Sequence, residues 1–362
     1  MKTTLRKGKK CFVFFFAFFE KNNIPFKLIN FTKIFLRDIF VQLLHKVQVE
    51  AHRKHTHRET NRPNRPNMTT LQEKAKAIRE AVEGLGTDDE TLIKIFRNTP
   101  YKDRLALNKE YYDQFKRDLI DDIKGDTSGN YQSILVNMLK AKEVLLAEQI
   151  RKAVKGLKTN DSILIHALTQ FPELIEEARK VYSTKYDSDM YDDIRKATHG
   201  NLKKFLLATM DEKSKDDDID VMVEFLYKAG VGKIGTDEIT FVNILGKHTK
   251  AEIATIVERY NEEYPDMHLK EAIKSEMKFK LGDALVAQIT PKYEYFAEVL
   301  LNSVKGLGTN DDNVVFVFSM LEEDEISKVS GAYYRLFKKA LLKDLRSDTS
   351  GNYQKLLIAL IN

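Results

Sequence analysis

A glycine loop paired with a distant acidic residue occurs twice in this chain at one fixed offset. Gly84-Leu85-Gly86-Thr87 precedes Asp126, and Gly306-Leu307-Gly308-Thr309 precedes Asp348, so that loop and acid are displaced by the same distance along the chain. The seven residues from Asp126 to Gln132 also recur unchanged at 348–354. Because two separated segments keep the same offset, a whole structural unit has been duplicated.

Two further copies of the loop lie between these. They are Gly156-Leu157-Lys158-Thr159 and Gly235-Thr236, and they divide the distance between the first and last loops into three nearly equal intervals. Four units of this length account for the chain after Met68. We expect the repeats to span 69–140, 141–212, 219–290 and 293–362.

The apolar pattern of these repeats is helical. Tyr131, Leu135, Met138 and Leu139 fall at i, i+4, i+7 and i+8, which places them on one face of a helix. No convincing alternating pattern predicts a strand. The predicted fold class is therefore all-α, and in repeat one the pattern predicts helices over 71–82, from just after Thr87 to Pro100, 103–115, a short segment ending near Lys124, and 128–140.

The loop and the acid together have the chemistry of a calcium site. Glycines permit a tight backbone curl that can aim several carbonyl oxygens at one point, and one added carboxylate completes an all-oxygen site that suits calcium better than magnesium. Thr87 with Glu90 also has the pattern of a capping box for the next helix. Alternatively, the glycines only end a helix and Asp126 only caps one, but the spacing from Thr87 to Asp126 equals that from Thr309 to Asp348.

With these loops and distant acids, in four units of the right length, everything after Met68 resembles the annexins. The resemblance implies a curved disc of four five-helix repeats that binds acidic phospholipid membranes when calcium is present. It further implies that calcium is held by carbonyls and one carboxylate in repeats one and four, at Val82, Gly84, Gly86 and Asp126 and at Val304, Gly306, Gly308 and Asp348.

Repeats two and three depart from this pattern. In repeat two Lys158 replaces the second glycine, and Thr198 stands after Thr159 at the spacing where an acid is expected, so we predict no calcium site. Lys155 and Lys158 are either lipid-phosphate contacts or a solvated pair. In repeat three the resemblance assigns the carbonyls of Gly230, Lys233 and Gly235 and the carboxylate of Glu276, although Phe279 replaces the glycine that follows the acid elsewhere.

Two other features of the loops bear on ligands. Gly230 to Gly235 satisfies the dinucleotide fingerprint G-x-G-x-x-G, but that motif requires a preceding strand and Val221 to Lys228 reads as a helix. Leu85, Leu307 and Ile234 are the apolar loop residues. If the loops lie on the convex face, as the resemblance implies, these three and Lys305 contact lipid; the alternative is that the apolar ones fold back into the core.

Residues 1–67 differ from the rest in composition. They hold 15 Lys and Arg against 4 Asp and Glu, a net charge of +11, so the remaining residues carry −6 because the whole chain carries +5. The apolar run from Cys11 to Phe19 imitates a signal peptide but lacks a small-residue cleavage site and is too short to span a bilayer. We expect a basic leader that is disordered or a spurious upstream extension, with Met68 as the true start.

The function predicted from the sequence is calcium-dependent binding to acidic, phosphatidylserine-like membranes; the alternative is a calcium-independent structural or cytoskeletal adaptor with the same fold. No HExxH, P-loop or G-x-S-x-G motif is present, so we do not expect an enzyme, and no module for specific nucleic-acid recognition is found. We expect a cytoplasmic monomer that reaches the inner face of membranes reversibly, with association on the membrane left open.

Overall fold

A computed structural model of the chain describes residues 70–84, 86–214, 217–232, 235–277, 279–305 and 308–362. The predictions for residues 1–67 lie outside these. The described residues form twenty α-helices and one short 3₁₀ helix, with no strand among them, which confirms the predicted all-α fold class. None of these helices is long and apolar enough to cross a bilayer.

The helices fall into four groups of five, one group for each repeat. Repeat one contains α1 Leu71–Val82, α2 Asp89–Arg97, α3 Tyr101–Phe115, α4 Leu119–Asp126 and α5 Gly129–Met138. Repeat two contains α6 Lys142–Lys155, α7 Asp161–Gln170, α8 Ile175–Tyr186, α9 Met190–Ala197 and α10 Gly200–Met210, with the 3₁₀ helix Pro172–Leu174 before α8. Repeat three contains α11 Ile219–Ala229, α12 Glu238–Lys247, α13 Lys250–Glu263, α14 Leu269–Glu276 and α15 Phe279–Ile289. Repeat four contains α16 Lys292–Ser303, α17 Asp311–Met320, α18 Glu323–Phe337, α19 Leu341–Asp348 and α20 Gly351–Ile361.

The second helix of each repeat begins on a short polar cap, and here one prediction was wrong. Thr87 and Glu90 do not form the predicted capping box; the cap of α2 is Asp88, whose carboxylate accepts a hydrogen bond from the backbone N–H of Thr91 at 3.1 Å. The helix begins one residue later than predicted, at Asp89, so Thr87 precedes the cap, and its hydroxyl donates to the end of another helix, as described below. The equivalent caps in the other repeats are Asn160, Asp237 and Asn310.

Each repeat packs around its third helix, which contributes a fully buried tyrosine. In three repeats this tyrosine donates a hydrogen bond to an aspartate eleven residues later on the fourth helix: Tyr111 to Asp122 at 2.6 Å, Tyr182 to Asp193 at 2.8 Å and Tyr333 to Asp344 at 2.6 Å. Because the donor is inside the core, the bond fixes where the fourth helix lies. In repeats one and four, that helix ends at the acid predicted to bind calcium.

The repeats associate in two pairs. Repeats one and four meet through α2 with α20 and α5 with α17, and repeats two and three meet through α7 with α15 and α10 with α12. Between repeats two and four, the buried His166 hydrogen-bonds Tyr295 at 2.6 Å and Asn313 at 3.2 Å. A single hydrophobic core runs through all four repeats.

Candidate functional site

In every repeat, a threonine at the end of the first interhelical loop ties that loop to the end of the fourth helix. The hydroxyl of Thr87 donates to the backbone carbonyl of Asp126 at 2.7 Å, and that of Thr309 donates to the carbonyl of Asp348 at 2.8 Å. The helix end that carries each predicted acid in repeats one and four is therefore joined to the end of its own loop. This hydrogen bond joins residues that are far apart in the chain, so the sequence shows only the constant distance between the threonine and the acid.

The glycines of the loops have backbone conformations that other residues rarely adopt. Gly84 and Gly86 have φ of +108° and +92°, and Gly308 has φ of +89°. A Cβ added at any of them would meet no atom within 4 Å, so the requirement for glycine comes from the backbone and not from crowding. Gly84 and Gly86 thus have the tight curl predicted for the first loop.

A backbone hydrogen bond closes each loop at its base. The N–H of Asp88 donates to the carbonyl of Ala81 at 2.9 Å, and the corresponding bond joins Asn160 to Ala153 and Asn310 to Ser303. Seven residues separate the partners in these three repeats. In repeat three Asp237 bonds Ala229, a separation of eight. The base of the third loop is therefore one residue wider than that of the other three.

The carboxylates of repeats one and four are exposed enough to accept a ligand. Asp126 and Asp348 are the last residues of α4 and α19 and are both partly buried. The Asp348 carboxylate accepts a hydrogen bond from Ser347 at 3.2 Å, whereas within the described ranges that of Asp126 accepts none. An anionic oxygen beside a curled loop provides ligands of the kind that calcium takes.

The remaining predicted residues are distributed around these loops. Val82 ends α1 and Val304 caps α16, and both side chains are buried, so only their carbonyls can serve a ligand. Gly230 caps α11, Gly235 has φ of +86°, and Lys305 is exposed. Five predicted site residues lie outside the described residues: Leu85, Lys233, Ile234, Gly306 and Leu307.

Repeat two has the loop but no acid. The prediction that Thr198 stands in the place of the acid was wrong by one residue. The Thr159 hydroxyl donates to the carbonyl of Ala197 at 2.9 Å, so Ala197 and not Thr198 is the counterpart of Asp126. Thr198 instead bonds the carbonyl of Ile194, as Thr127 bonds that of Ile123. The register prediction failed because repeat two is one residue shorter between its loop and the end of its fourth helix.

Side chains in and beside the second loop can be compared with the alternatives given for the apolar and basic loop residues. Leu157, the counterpart of Leu85, is completely exposed, with a relative exposure of 113%, so this loop leucine does not fold back into the core. Lys155 forms an ion pair with the buried Asp193 at 3.0 Å, while Lys158 is exposed. Burial by itself would raise the pKa of Asp193, but hydrogen bonds, led by that from Lys155, lower it to about 2.

Repeat three has a carboxylate, but that carboxylate is already engaged. The Thr236 hydroxyl donates to Oε2 of Glu276 at 2.9 Å and lies 3.4 Å from the Glu276 carbonyl. The longer side chain of glutamate thus folds back onto the threonine hydroxyl that joins the loop to the fourth helix. The G-x-G-x-x-G match here follows α11, a helix, so it lacks the strand that a dinucleotide site requires.

A polar cleft of about 530 Å³ lies between the sites of repeats one and four. Residues of the duplicated segments line it from both sides, together with Asp89 and Asp311 from the starts of α2 and α17. Those of the segments are Asp126, Thr127, Ser128, Asn130 and Tyr131, and Asp348, Thr349, Ser350, Asn352 and Tyr353. Burial raises the pKa of Tyr131, and the nearby Asp89 raises it further. Sequence reasoning missed Asp89 and Asp311; the unchanged seven-residue segment was the only signal that two like surfaces face each other.

Backbone oxygens are essential to any cation site at these loops. The described part of the chain contains no group of three or more His, Cys, Asp or Glu side chains placed to hold a metal ion. A cation bound at the first or fourth loop would therefore need loop carbonyls in addition to its single carboxylate. The positive-φ glycines and the adjacent acid fit that requirement in repeats one and four.

Comparisons with known proteins identify relatives that cover the described repeats. A sequence model described as Annexin matches residues 73–138, 146–209, 222–287 and 295–360. The chain is 33% identical over 297 residues to annexin A7 of Dictyostelium discoideum, covering 80% of this chain and 64% of that relative. It is 33% identical over 300 residues to annexin A4 of Homo sapiens, covering 80% and 93%. The solved structure of chicken annexin V matches with a TM-score of 0.73 and 28% identity, covering 83% of this chain and 98% of that one.

Proposed function

The chain belongs to the annexin family, and on that premise we propose that it binds acidic phospholipid membranes through calcium held at the loops of repeats one and four. The family match confirms the resemblance and the four-repeat fold inferred from the loops. Annexins are in general calcium-dependent phospholipid-binding proteins without enzymatic activity. The assignment to particular loops and residues is our proposal.

The observation that carries the proposal is the hydrogen bond from each loop threonine to the end of the fourth helix, which we call the threonine tether. It holds the carbonyl end of Asp126 against the first loop and that of Asp348 against the fourth. The tether is also present in repeat two, where Ala197 offers no carboxylate. The scaffold is thus common to the repeats, and the acid decides which loops can hold a dication.

In this proposal each site combines three carbonyls with one carboxylate. The first site uses Val82, Gly84, Gly86 and Asp126, and the fourth uses Val304, Gly306, Gly308 and Asp348. Calcium, when bound, links these protein oxygens to phosphoryl or carboxyl oxygens of lipid headgroups, because the protein supplies only part of the six to eight ligands that calcium takes. The tethered loops orient the protein ligands before binding.

Repeat three is a weaker third site in this proposal, with Gly230, Lys233, Gly235 and Glu276 as ligands. Its carboxylate must first leave the hydroxyl of Thr236, and that exchange reduces the net gain from binding. Two or three weak sites on one rigid body still give strong attachment, since the second binding event is intramolecular.

Apolar loop residues add to the attachment. We propose that Leu85, Leu307 and Ile234 enter the lipid interface, with Lys305 beside them at the headgroups. The complete exposure of Leu157, at the same loop position in repeat two, supports an outward orientation. Burial of one such side chain contributes roughly 1.5–3 kcal/mol.

The charge of the repeats makes the attachment conditional. Residues after the leader carry a net charge of −6, which is the whole-chain charge of +5 less the +11 of residues 1–67. An acidic body is repelled by anionic lipid unless a bound cation intervenes. We therefore propose a protein of the cytoplasm that reaches the inner face of membranes when calcium rises and leaves when it falls.

Co-sedimentation with liposomes tests this function. Vesicles rich in phosphatidylserine should pellet the protein with calcium and release it with chelator, and the double variant Asp126→Ala, Asp348→Ala should lose most of this binding. The control is Glu258→Ala with Asp266→Ala, which removes the same charge from exposed positions away from the loops. Equal pelleting of the Asp126/Asp348 variant and the control would reject the proposed sites, and calcium-independent pelleting with filaments would favour the adaptor.

A further inference from the structure

The junction between the fourth and fifth helices differs in repeat three from all the others. Three repeats have a glycine there in the left-handed region, Gly129, Gly200 and Gly351, with φ of +63°, +60° and +61°. Repeat three has Phe279 at the same place with φ of +65°. The backbone of repeat three therefore has the same left-handed conformation as the other repeats, but a phenylalanine is strained in that conformation whereas a glycine is not.

Nothing in the described fold compensates for this strain. The Phe279 side chain is 89% exposed, so it gains almost no burial in the protein. A large apolar ring in strained backbone and open solvent is unfavourable in two ways at once. Residues held in this manner concentrate at binding sites, which makes the outlier an indication of function.

The position of Phe279 relates it to the candidate calcium loop of its own repeat. It follows Glu276 by three residues, and Glu276 is tied to the third loop through the hydroxyl of Thr236. In repeats one and four, the residues on either side of the corresponding glycine line the cleft that Asp126 and Asp348 also line: Ser128 and Asn130, and Ser350 and Asn352. Phe279 therefore stands on the side of repeat three that carries the proposed membrane contacts.

Charge indicates which surface the ring would meet. Phe279 stands between Lys278 and Lys280, whereas Gly129 stands between Ser128 and Asn130. Lys280 pairs with Asp283 at 3.1 Å, but both side chains are about half exposed, so the pair is screened by water and leaves the ammonium able to contact another anion. An aromatic ring between two lysines matches an anionic bilayer surface, where rings enter the interface and ammonium groups remain among the headgroups.

We propose that Phe279 is a membrane anchor specific to repeat three, which enters the interfacial region of an anionic bilayer with Lys280 at the headgroups. This inference rests on the proposed function, because calcium at the loops brings the repeat to the surface. It gives repeat three a role in attachment even though its carboxylate is engaged.

The absence of tryptophan from the chain makes the test direct. Phe279→Trp introduces a single tryptophan, which can be excited selectively over the tyrosines. Its emission should shift to shorter wavelength, and be quenched by lipids brominated in their acyl chains, when calcium and phosphatidylserine vesicles are both present. Tyr334→Trp is the control, since Tyr334 is 63% exposed within α18 and belongs to no loop or junction. Its emission should not change.

A second variant measures how much the ring contributes. Phe279→Gly restores the residue found in the other three repeats, so it should fold at least as stably, yet bind vesicles about tenfold more weakly, as expected for partial loss of one buried aromatic side chain. Phe279→Leu should retain most of the affinity.

The outcomes separate this inference from the proposed function. If the unmodified protein fails to pellet with calcium, the proposed function fails. If it pellets but the Phe279→Trp variant shows no shift and Phe279→Gly binds equally well, the anchor is refuted while the calcium sites stand. In that case Phe279 would be assigned to a protein contact instead.

Discussion

Substitution of the tether threonines can distinguish an effect on calcium binding from an effect on folding stability. Thr87→Val keeps the shape of the side chain and removes the hydroxyl that donates to the carbonyl of Asp126 at 2.7 Å. Without that bond the first loop is no longer held next to Asp126. We expect calcium binding at this loop to weaken because the protein must then bring the ligands together itself.

The magnitude follows from the worth of one hydrogen bond. A typical intramolecular bond contributes about 0.5–1.5 kcal/mol net. If all of this is lost from the binding-competent state, the calcium concentration for half-maximal attachment rises about two- to twelvefold, since about 1.4 kcal/mol is a factor of ten. The free energy of unfolding should fall by a similar amount, about 0.5–1.5 kcal/mol.

Thr159→Val is the matched control. Its hydroxyl donates to the carbonyl of Ala197 at 2.9 Å in the repeat that lacks an acid. Urea unfolding should show the same loss for both variants, whereas calcium titration of liposome pelleting should shift only for Thr87→Val. Equal shifts in the two titrations, or no shift for Thr87→Val despite its lost stability, would refute the reasoning.

Two further predictions concern the backbone of the loop and the buried histidine. Gly86→Ala, at φ of +92°, should cost about 1–2 kcal/mol and raise the half-maximal calcium concentration; Gly125→Ala, inside α4 with no atom near its Cβ, should leave the titration unchanged. Burial lowers the pKa of His166 from 6.5 to about 4, so the stability from keeping it neutral is present above pH 6.5 and is lost as pH falls through 4. Urea unfolding should show about 3 kcal/mol lost over that window, and a similar pH dependence in His166→Gln would contradict the assignment.

Patterns that repeat along the chain were predicted well from the sequence. The offset shared by the first and last loops and their acids revealed the four repeats, and apolar spacing indicated the helices, including α1 at its observed bounds. The glycine loop could be predicted because a positive φ restricts which residue can stand there. These features depend on local conformation, which a sequence expresses directly.

Features that depend on contacts between distant segments were not predictable in the same way. Thr87 has the spacing of a cap, but its hydroxyl bonds the end of a helix far along the chain, and Asp88 caps in its place. Thr198 was taken as the counterpart of Asp126 because it follows the loop threonine at the same sequence distance. Repeat two is one residue shorter in this segment, so the true counterpart is Ala197. The strain at Phe279 was also hidden, because a substitution reveals its backbone conformation only in the folded chain.

Locating calcium in the structure tests the central claim most directly. Crystals of the protein soaked in calcium and measured for anomalous scattering should show an ion about 2.3–2.6 Å from the Asp126 carboxylate and the carbonyls of Gly84 and Gly86. A second ion should lie at Asp348, and none in the loop of repeat two. Calcium bound away from Asp126 and Asp348, or held equally by the acid-free loop, would contradict the account.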